Sequence, residues 1–170
     1  MTFPKNIGQV PLYYAAKNTG RPLLEGRWFE KFRSNYLDVD NDPLYPFGYG
    51  LSYTTFEYSP VKLDATEVAA GKSVKAEVTV TNTGKVSGKE VVQMYLQDVV
   101  GSTTRPLREL KGFEKISLEP GESKTVTFEI TPELMSHYNS DLVLVAEPGE
   151  FIVYIGPDSR TRNSAAFVLE

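Results

Sequence analysis

The chain has 170 residues and no cysteine, so disulfides, thiol catalysis and cysteine-based metal sites are excluded. Its net charge is −4 without a long run of either sign, which argues against the basic stripe that nucleic acid favours. No apolar run approaches the roughly 20 residues of a membrane span, and the length suits one domain and a remainder.

The first 50 residues hold 10 of the 20 aromatic side chains, among them Trp28, Phe29, Phe32 and Tyr36. Neither a helical nor a strand period persists there. Residues 10–14 read as one buried strand and residues 25–32 as a short helical turn. The opening Met1-Thr2-Phe3-Pro4-Lys5 begins no apolar stretch of the kind a signal peptide carries. So short a segment buries too little surface to make its own core, so this arm is expected to pack on something else.

The arm ends in Leu44-Tyr45-Pro46-Phe47-Gly48-Tyr49-Gly50-Leu51-Ser52-Tyr53. Rings need a surface to bury against, and glycines let backbones approach closely, so the stretch reads as a packed junction. After about Phe56 the pattern changes to short strands. Val74, Ala76, Val78 and Val80 alternate with polar residues, the period-2 signature of a half-buried strand. Asn82-Thr83-Gly84-Lys85 supplies turn chemistry, Asn and Gly tolerating positive φ. Val92, Met94 and Leu96 give the next inward face; Phe113, Ile116 and Leu118 lie in another strand, and Val126, Phe128 and Ile130 in a further one. Thr131-Pro132-Glu133-Leu134-Met135 signals a short helix, with Thr131 as N-cap and Pro132 at the first position. Tyr138 sits where a tyrosine corner would be. The run 142–145 is apolar, Phe151, Val153 and Ile155 alternate again, and Ala166 and Val168 suit a last edge strand. Turns at Gly71, Pro120-Gly121 and Pro148-Gly149 each precede a strand. The pattern predicts an all-β immunoglobulin or fibronectin III-like antiparallel sandwich of seven or eight strands.

Little in this sequence carries chemistry. Asp38-Val39-Asp40-Asn41-Asp42 resembles a calcium loop, but Pro43 and Tyr49 occupy the positions that require Gly and a bidentate acid, so it reads as a solvated acidic turn. Gly48 and Gly50 lack the third glycine, lysine and helix of a phosphate cradle, and tight packing explains them better. His137 is the single histidine, too little for a triad or a histidine-rich metal site, and reads as a loop residue. Asp98, Asp141, Glu147 and Glu150 fall at strand ends or turns, with no motif to make them a glycosidase pair. Trp28, Phe29, Tyr36, Tyr45 and Tyr49 could stack on sugar faces, though packing between domains accounts for them more simply.

Several segments, in order, resemble glycoside hydrolase family 3. The junction Tyr45-Pro46-Phe47-Gly48-Tyr49-Gly50-Leu51-Ser52-Tyr53 resembles the signature near that family's C-terminal end. Val80-Thr81-Asn82-Thr83-Gly84 with Gly88-Lys89-Glu90-Val91-Val92-Gln93, Arg105-Pro106-Leu107-Arg108-Glu109-Leu110-Lys111-Gly112-Phe113, and Glu147-Pro148-Gly149-Glu150-Phe151 agree with it. Upstream, Gly8-Gln9-Val10-Pro11-Leu12 and Thr19-Gly20-Arg21-Pro22 are similar to the close of the family's second domain. Departures are small: Glu109 stands where the family often has Gln, and Pro157-Asp158 replaces a smaller pair.

The resemblance, closest to bacterial periplasmic β-glucosidases, implies a C-terminal fragment. Residues 1–50 would be the remnant of an α/β sandwich domain plus linker, and residues 51–170 a fibronectin type III-like domain. The family's nucleophile and acid/base belong to regions that precede residue 1, so the expectation is no catalytic, cofactor-binding or metal site here. Tyr45, Phe47, Tyr49 and Tyr53 would face the parent's own domains. The alternative is a carbohydrate- or protein-binding module, with homodimerisation of parent or fragment as a further partner. The implied compartment is periplasmic or secreted.

Overall fold

The polar–apolar alternation of residues 74–82 becomes the central strand of one sheet in the computed structural model, which describes residues 1–18, 31–32 and 35–170. The elements run β1 (Phe56–Tyr58), β2 (Lys62–Leu63), β3 (Glu67–Val68), β4 (Val74–Asn82), β5 (Gly88–Asp98) and β6 (Glu109–Leu118). There follow β7 (Ser123–Ile130), α1 (Pro132–Met135), β8 (His137–Tyr138), β9 (Leu144–Val145), β10 (Gly149–Gly156) and β11 (Ser164–Leu169).

β4 pairs with β7 along one edge and with β1 and β2 along the other, all antiparallel. The second sheet has five strands in the order β3-β11-β10-β5-β6, and β3 joins β11 in parallel. β8 and β9 form a separate two-stranded ribbon. The sandwich is therefore as expected, with β1, β2 and β3 as extra short pieces along its edges.

The core lies between the sheets. Val74, Ala76, Val78, Val80, Val126 and Ile130 meet Val92, Met94, Leu96, Phe151, Val153, Ile155 and Phe167. The Phe151 and Phe167 rings stack at 5.5 Å. Each fully buried aliphatic or aromatic side chain favours the fold by about 1.5–3 kcal/mol of transfer free energy. Gly71 and Gly121 take φ of 76° and 79° in the turns before β4 and β7, a conformation that β-branched residues avoid.

Several expectations change on contact with the structure. Residues 10–14 form no strand, since among the described residues no backbone pairs with them. The turn expected over 25–32 lies mostly outside the described residues. On β11 it is Phe167 and Leu169 that face the core, while Val168 is exposed, and β3 covers the edge that this strand was expected to form. Phe113 points outward from β6, away from Ile116 and Leu118. Tyr138 is exposed on β8 instead of closing a corner. Residues 142–144 are likewise exposed at the ribbon's tip. Thr131 caps α1 by backbone position without a side-chain hydrogen bond.

Asn82 ends β4 fully buried, and its amide is satisfied throughout. Nδ2 donates to the carbonyls of Val86 at 2.9 Å and Leu118 at 3.0 Å. Oδ1 accepts from Thr54 Oγ1 at 2.6 Å and from the Gly84 N–H at 3.1 Å. Gly84 is needed here for space, since a Cβ on it would overlap Thr54 Oγ1 and sit 3.0 Å from the Thr55 nitrogen. Replacing Asn82 with Ala strands these partners in the interior. The expected loss is about 1–3 kcal/mol, read as a fall in Tm of roughly 2–4 °C per kcal/mol in a thermal melt.

Candidate interaction face of the arm and the five-stranded sheet

A strand with one solvated face should alternate in burial. β5 does not: Val92, Gln93, Met94, Tyr95 and Leu96 are all buried. Val92, Met94 and Leu96 face the core, so something must cover Gln93 and Tyr95 from outside. The N-terminal arm does this.

Gly48 supplies the closest approach, at φ 84°. A Cβ there would overlap the Gln93 carboxamide, so the backbone can lie on this amide only as glycine. Gln93 Nε2 donates to the Gly48 carbonyl at 3.1 Å and to the Pro157 carbonyl. Its Oε1 accepts from the Tyr95 hydroxyl at 2.6 Å. Burial pushes the Tyr95 phenol above its ordinary range, which keeps it a donor. Both amide hydrogens and the amide oxygen thus have partners, the condition for burying a polar group at little loss.

Aromatic packing extends the seal. Tyr14 stacks on Phe47 at 4.3 Å and meets Tyr95 edge-on at 5.8 Å. The Tyr14 hydroxyl accepts from the Leu110 N–H at 3.2 Å, and the Ala16 carbonyl accepts from the Leu107 N–H at 2.9 Å. The Phe47 carbonyl accepts from the Ser159 N–H at 2.9 Å. Arg108 braces the same loop by donating to the carbonyls of Ser159 at 2.8 Å and Thr161 at 2.9 Å, with its guanidinium 4.0 Å above the Tyr154 ring. Burial draws the Arg108 pKa downward, partly offset by the Tyr154 side chain.

The arm is also tied to itself. Gln9 is fully buried, and its Nε2 donates at 2.8 Å to the carbonyls of both Asp40 and Asp42. Asp40 pairs with Lys5 at 2.7 Å, which holds its carboxyl below the usual range, and Asp42 pairs with Arg160. The acidic turn over 38–42 is solvent-exposed as expected, with Asp40 and Asp42 each meeting a cation, one from the arm and one from the sandwich. Phe3 bridges to Tyr45 through a 2.9 Å backbone bond, and the Tyr45 and Tyr49 rings lie 5.0 Å apart. The Tyr36 hydroxyl donates to the Pro11 carbonyl.

The residues weighed for partner contact divide. Phe47 is turned toward Tyr14, Tyr45 and Tyr49 stay about half exposed, and Tyr53 is fully exposed. Trp28 and Phe29 lie outside the described residues. Beside Tyr49 runs an open groove of about 390 Å³, lined by Met1, Phe3, Phe47, Gly48, Val91, Gln93, Leu110 and Phe113. Sequence reasoning missed Phe113 and Val91 as surface residues; both stand where a half-solvated sheet would carry polar side chains.

His137 is not a loop residue but is buried on β8, with Nδ1 3.7 Å from Asp98 Oδ2 and Nε2 3.7 Å from Glu147 Oε2. Arg105 Nε stands 3.8 Å from Asp98, and burial raises the Asp98 carboxyl despite the neighbouring guanidinium. Glu147 accepts from the Ser102 N–H at 2.7 Å and from its hydroxyl, so it is engaged in a turn contact. Among the described residues no group of three or more His, Asp or Glu is arranged to hold a metal. No helix among them is long and apolar enough to cross a membrane.

Comparison with known proteins places this geometry. The model of the fibronectin type III-like domain matches residues 90–159, from within β5 to just beyond β10. A periplasmic β-glucosidase of Salmonella typhimurium is 50% identical over 99% of this chain, which covers 22% of that protein. A β-xylosidase of Formosa agariphila is 46% identical over 94% of the chain, covering 21% of its length. The crystal structure of a β-glucosidase from Listeria innocua in complex with glucose superposes with a TM-score of 0.93 at 46% identity, over 99% of this chain and 23% of that one. The chain spans about a fifth of the length of the relatives it matches.

Gly48→Ala forces a methyl group into the Gln93 amide at a positive φ. Limited proteolysis is expected to cut the variant within residues 1–49 well before the wild type, with the fragment from about residue 50 onward surviving. Equal cleavage rates would show that this contact does not hold the arm.

Proposed function

We propose, from a chain that corresponds in sequence and fold to the C-terminal, fibronectin type III-like region of glycoside hydrolase family 3 proteins, that it is the non-catalytic part of a longer β-glucosidase-like hydrolase. The observation that carries this reading is the match along the whole chain to about a fifth of several glycosidases. The parent hydrolyses terminal β-glycosidic bonds with retention, through two carboxylates that lie outside these residues. Residues 1–50 are the end of its α/β sandwich domain with a linker, and residues 51–170 are the fibronectin type III-like domain. The compartment is periplasmic or secreted, in keeping with the Salmonella relative.

In this reading the chain's work is mechanical. Its arm is held to the sandwich by the Gln93 contact and the Tyr14–Phe47–Tyr95 stack. What remains exposed on the arm, chiefly Tyr45, Tyr49 and Tyr53, packs on the parent's other domains. The two layers together set the position of those domains.

A second reading, glucan binding, is favoured by one observation: Phe3, Tyr49 and Phe113 line a single open groove. Two measurements test these readings. The chain alone should give no hydrolysis of an aryl-β-glucoside above blank, and robust turnover would refute the non-catalytic assignment. Calorimetric titration with soluble β-glucans should give no saturable heat, whereas saturation would favour the binding module.

A further inference from the structure

Buried polar side-chain atoms ordinarily have hydrogen-bond partners, and each exception needs a physical account. Among the described residues the exceptions, Asn6 Oδ1 apart, gather in one place: Asp98 Oδ2, Arg105 Nε and both ring nitrogens of His137. The His137 side chain is 1% exposed, with Asp98 Oδ2 beside one nitrogen and Glu147 Oε2 beside the other, each at 3.7 Å. Arg105 Nε stands 3.8 Å from the same Asp98 oxygen, and its guanidinium also donates to Glu109, which Lys111 approaches at 3.7 Å. Glu147 is held by the Ser102 N–H and hydroxyl. These groups come from separate stretches of chain. His137 opens β8, Asp98 ends β5, Ser102 and Arg105 belong to the β5–β6 connection, and Glu147 precedes β10.

A neutral imidazole offers one N–H and one lone pair. Between two carboxylate oxygens it can donate to one and must turn its lone pair on the other. The imidazolium offers two N–H groups, and each has an acceptor about 1 Å beyond charge-assisted hydrogen-bond length. From this cluster we infer that His137 is a proton-operated clasp. On taking its second proton the ring donates to Asp98 and Glu147 together, drawing the β5–β6 connection and the turn before β10 onto β8. Burial by itself opposes charge on the ring, while a carboxylate on each side favours it. The connection so drawn in is also where the end of the arm rests: Lys17 bridges to Pro106, and the Leu107 N–H donates to the Ala16 carbonyl. Closing the clasp therefore steadies the arm's footing. A proton shared with two acceptors is bound more tightly in the folded chain than in the unfolded one. Folding thus gains stability as pH falls through the ordinary imidazole range and loses it as pH rises.

His137 is the only histidine, so the ring signals of a nitrogen-15-labelled chain are its own and need no variant to assign them. Between about pH 8 and about pH 6, both ring nitrogens should move to imidazolium shifts. Over the same interval the exchange protection of the Ser102 and Leu107 amides, corrected for intrinsic rates, should rise at least about tenfold. In His137→Gln that gain should vanish, and in Glu147→Gln it should fall below about half. His137→Gln keeps both carboxylates, so a titration of Asp98, whose carboxyl burial raises, would show in that variant too. A wild-type ring that titrates while both amides keep constant protection would overturn the inference, as would a gain that survives in His137→Gln. Should His137→Gln not fold, the coincidence of ring and amide titrations in the wild type and in Glu147→Gln still decides.

Discussion

The Gln93 carboxamide sits where an outward-facing side chain on a sheet would ordinarily meet water, and instead it is enclosed by the Gly48 carbonyl, the Pro157 carbonyl and the Tyr95 hydroxyl. Much of the rest depends on that contact. It requires glycine at position 48, which brings Phe47 down beside Tyr14, and this pair in turn covers Tyr95. It ties three separate stretches together: the arm, β5 and the loop after β10. A buried amide with all its partners costs little, but one with a missing partner costs about 1–3 kcal/mol, so lifting the arm off Gln93 is penalised. β5 becomes a strand with two interiors, one between the sheets and one beneath the arm.

How much of this was legible in the sequence varies with the range over which the information acts. Period-2 alternation identified the inward faces of β4, β7 and β10, because each strand's pattern is local. It failed on β11, where Ala165, Ala166, Phe167, Val168 and Leu169 are apolar at both parities and only volume favours Phe167 and Leu169 for the core. The turn at Asn82-Thr83-Gly84 was visible, but for a different reason. Gly84 is not among the positive-φ residues; it makes room for Thr54, thirty residues earlier in the chain. The burial of Gln93 and Tyr95 left no local sign, since the covering residues come from the arm. The nearest hint was a glycine between two rings, read correctly as close packing but without its partner.

The polar interior follows the same logic. His137 reads as a loop residue after a proline-initiated turn, yet it opens β8 and is buried, as is Met135 at the end of α1. The imidazole lies between Asp98 and Glu147, one from β5 and one from the turn before β10, with each ring nitrogen 3.7 Å from a carboxylate oxygen and without a hydrogen bond. The acidic run over 38–42 is a parallel case. Each carboxylate looks solvated in isolation; Lys5 and Arg160, distant in sequence, give Asp40 and Asp42 their structural use.

β6 is the outermost strand of its sheet, and an uncovered outer strand offers unpaired backbone groups to any passing chain. At its approach and beginning the arm occupies that border: Lys17 bridges to Pro106, Ala16 takes the Leu107 N–H and Tyr14 takes that of Leu110. The arm is therefore also a shield against self-recruitment. A sandwich trimmed back to its first strand would keep its core but present bare backbone beside the uncovered Tyr95, Val91 and Phe113. Where the boundary is drawn for expression thus decides between a soluble domain and one that assembles edge to edge.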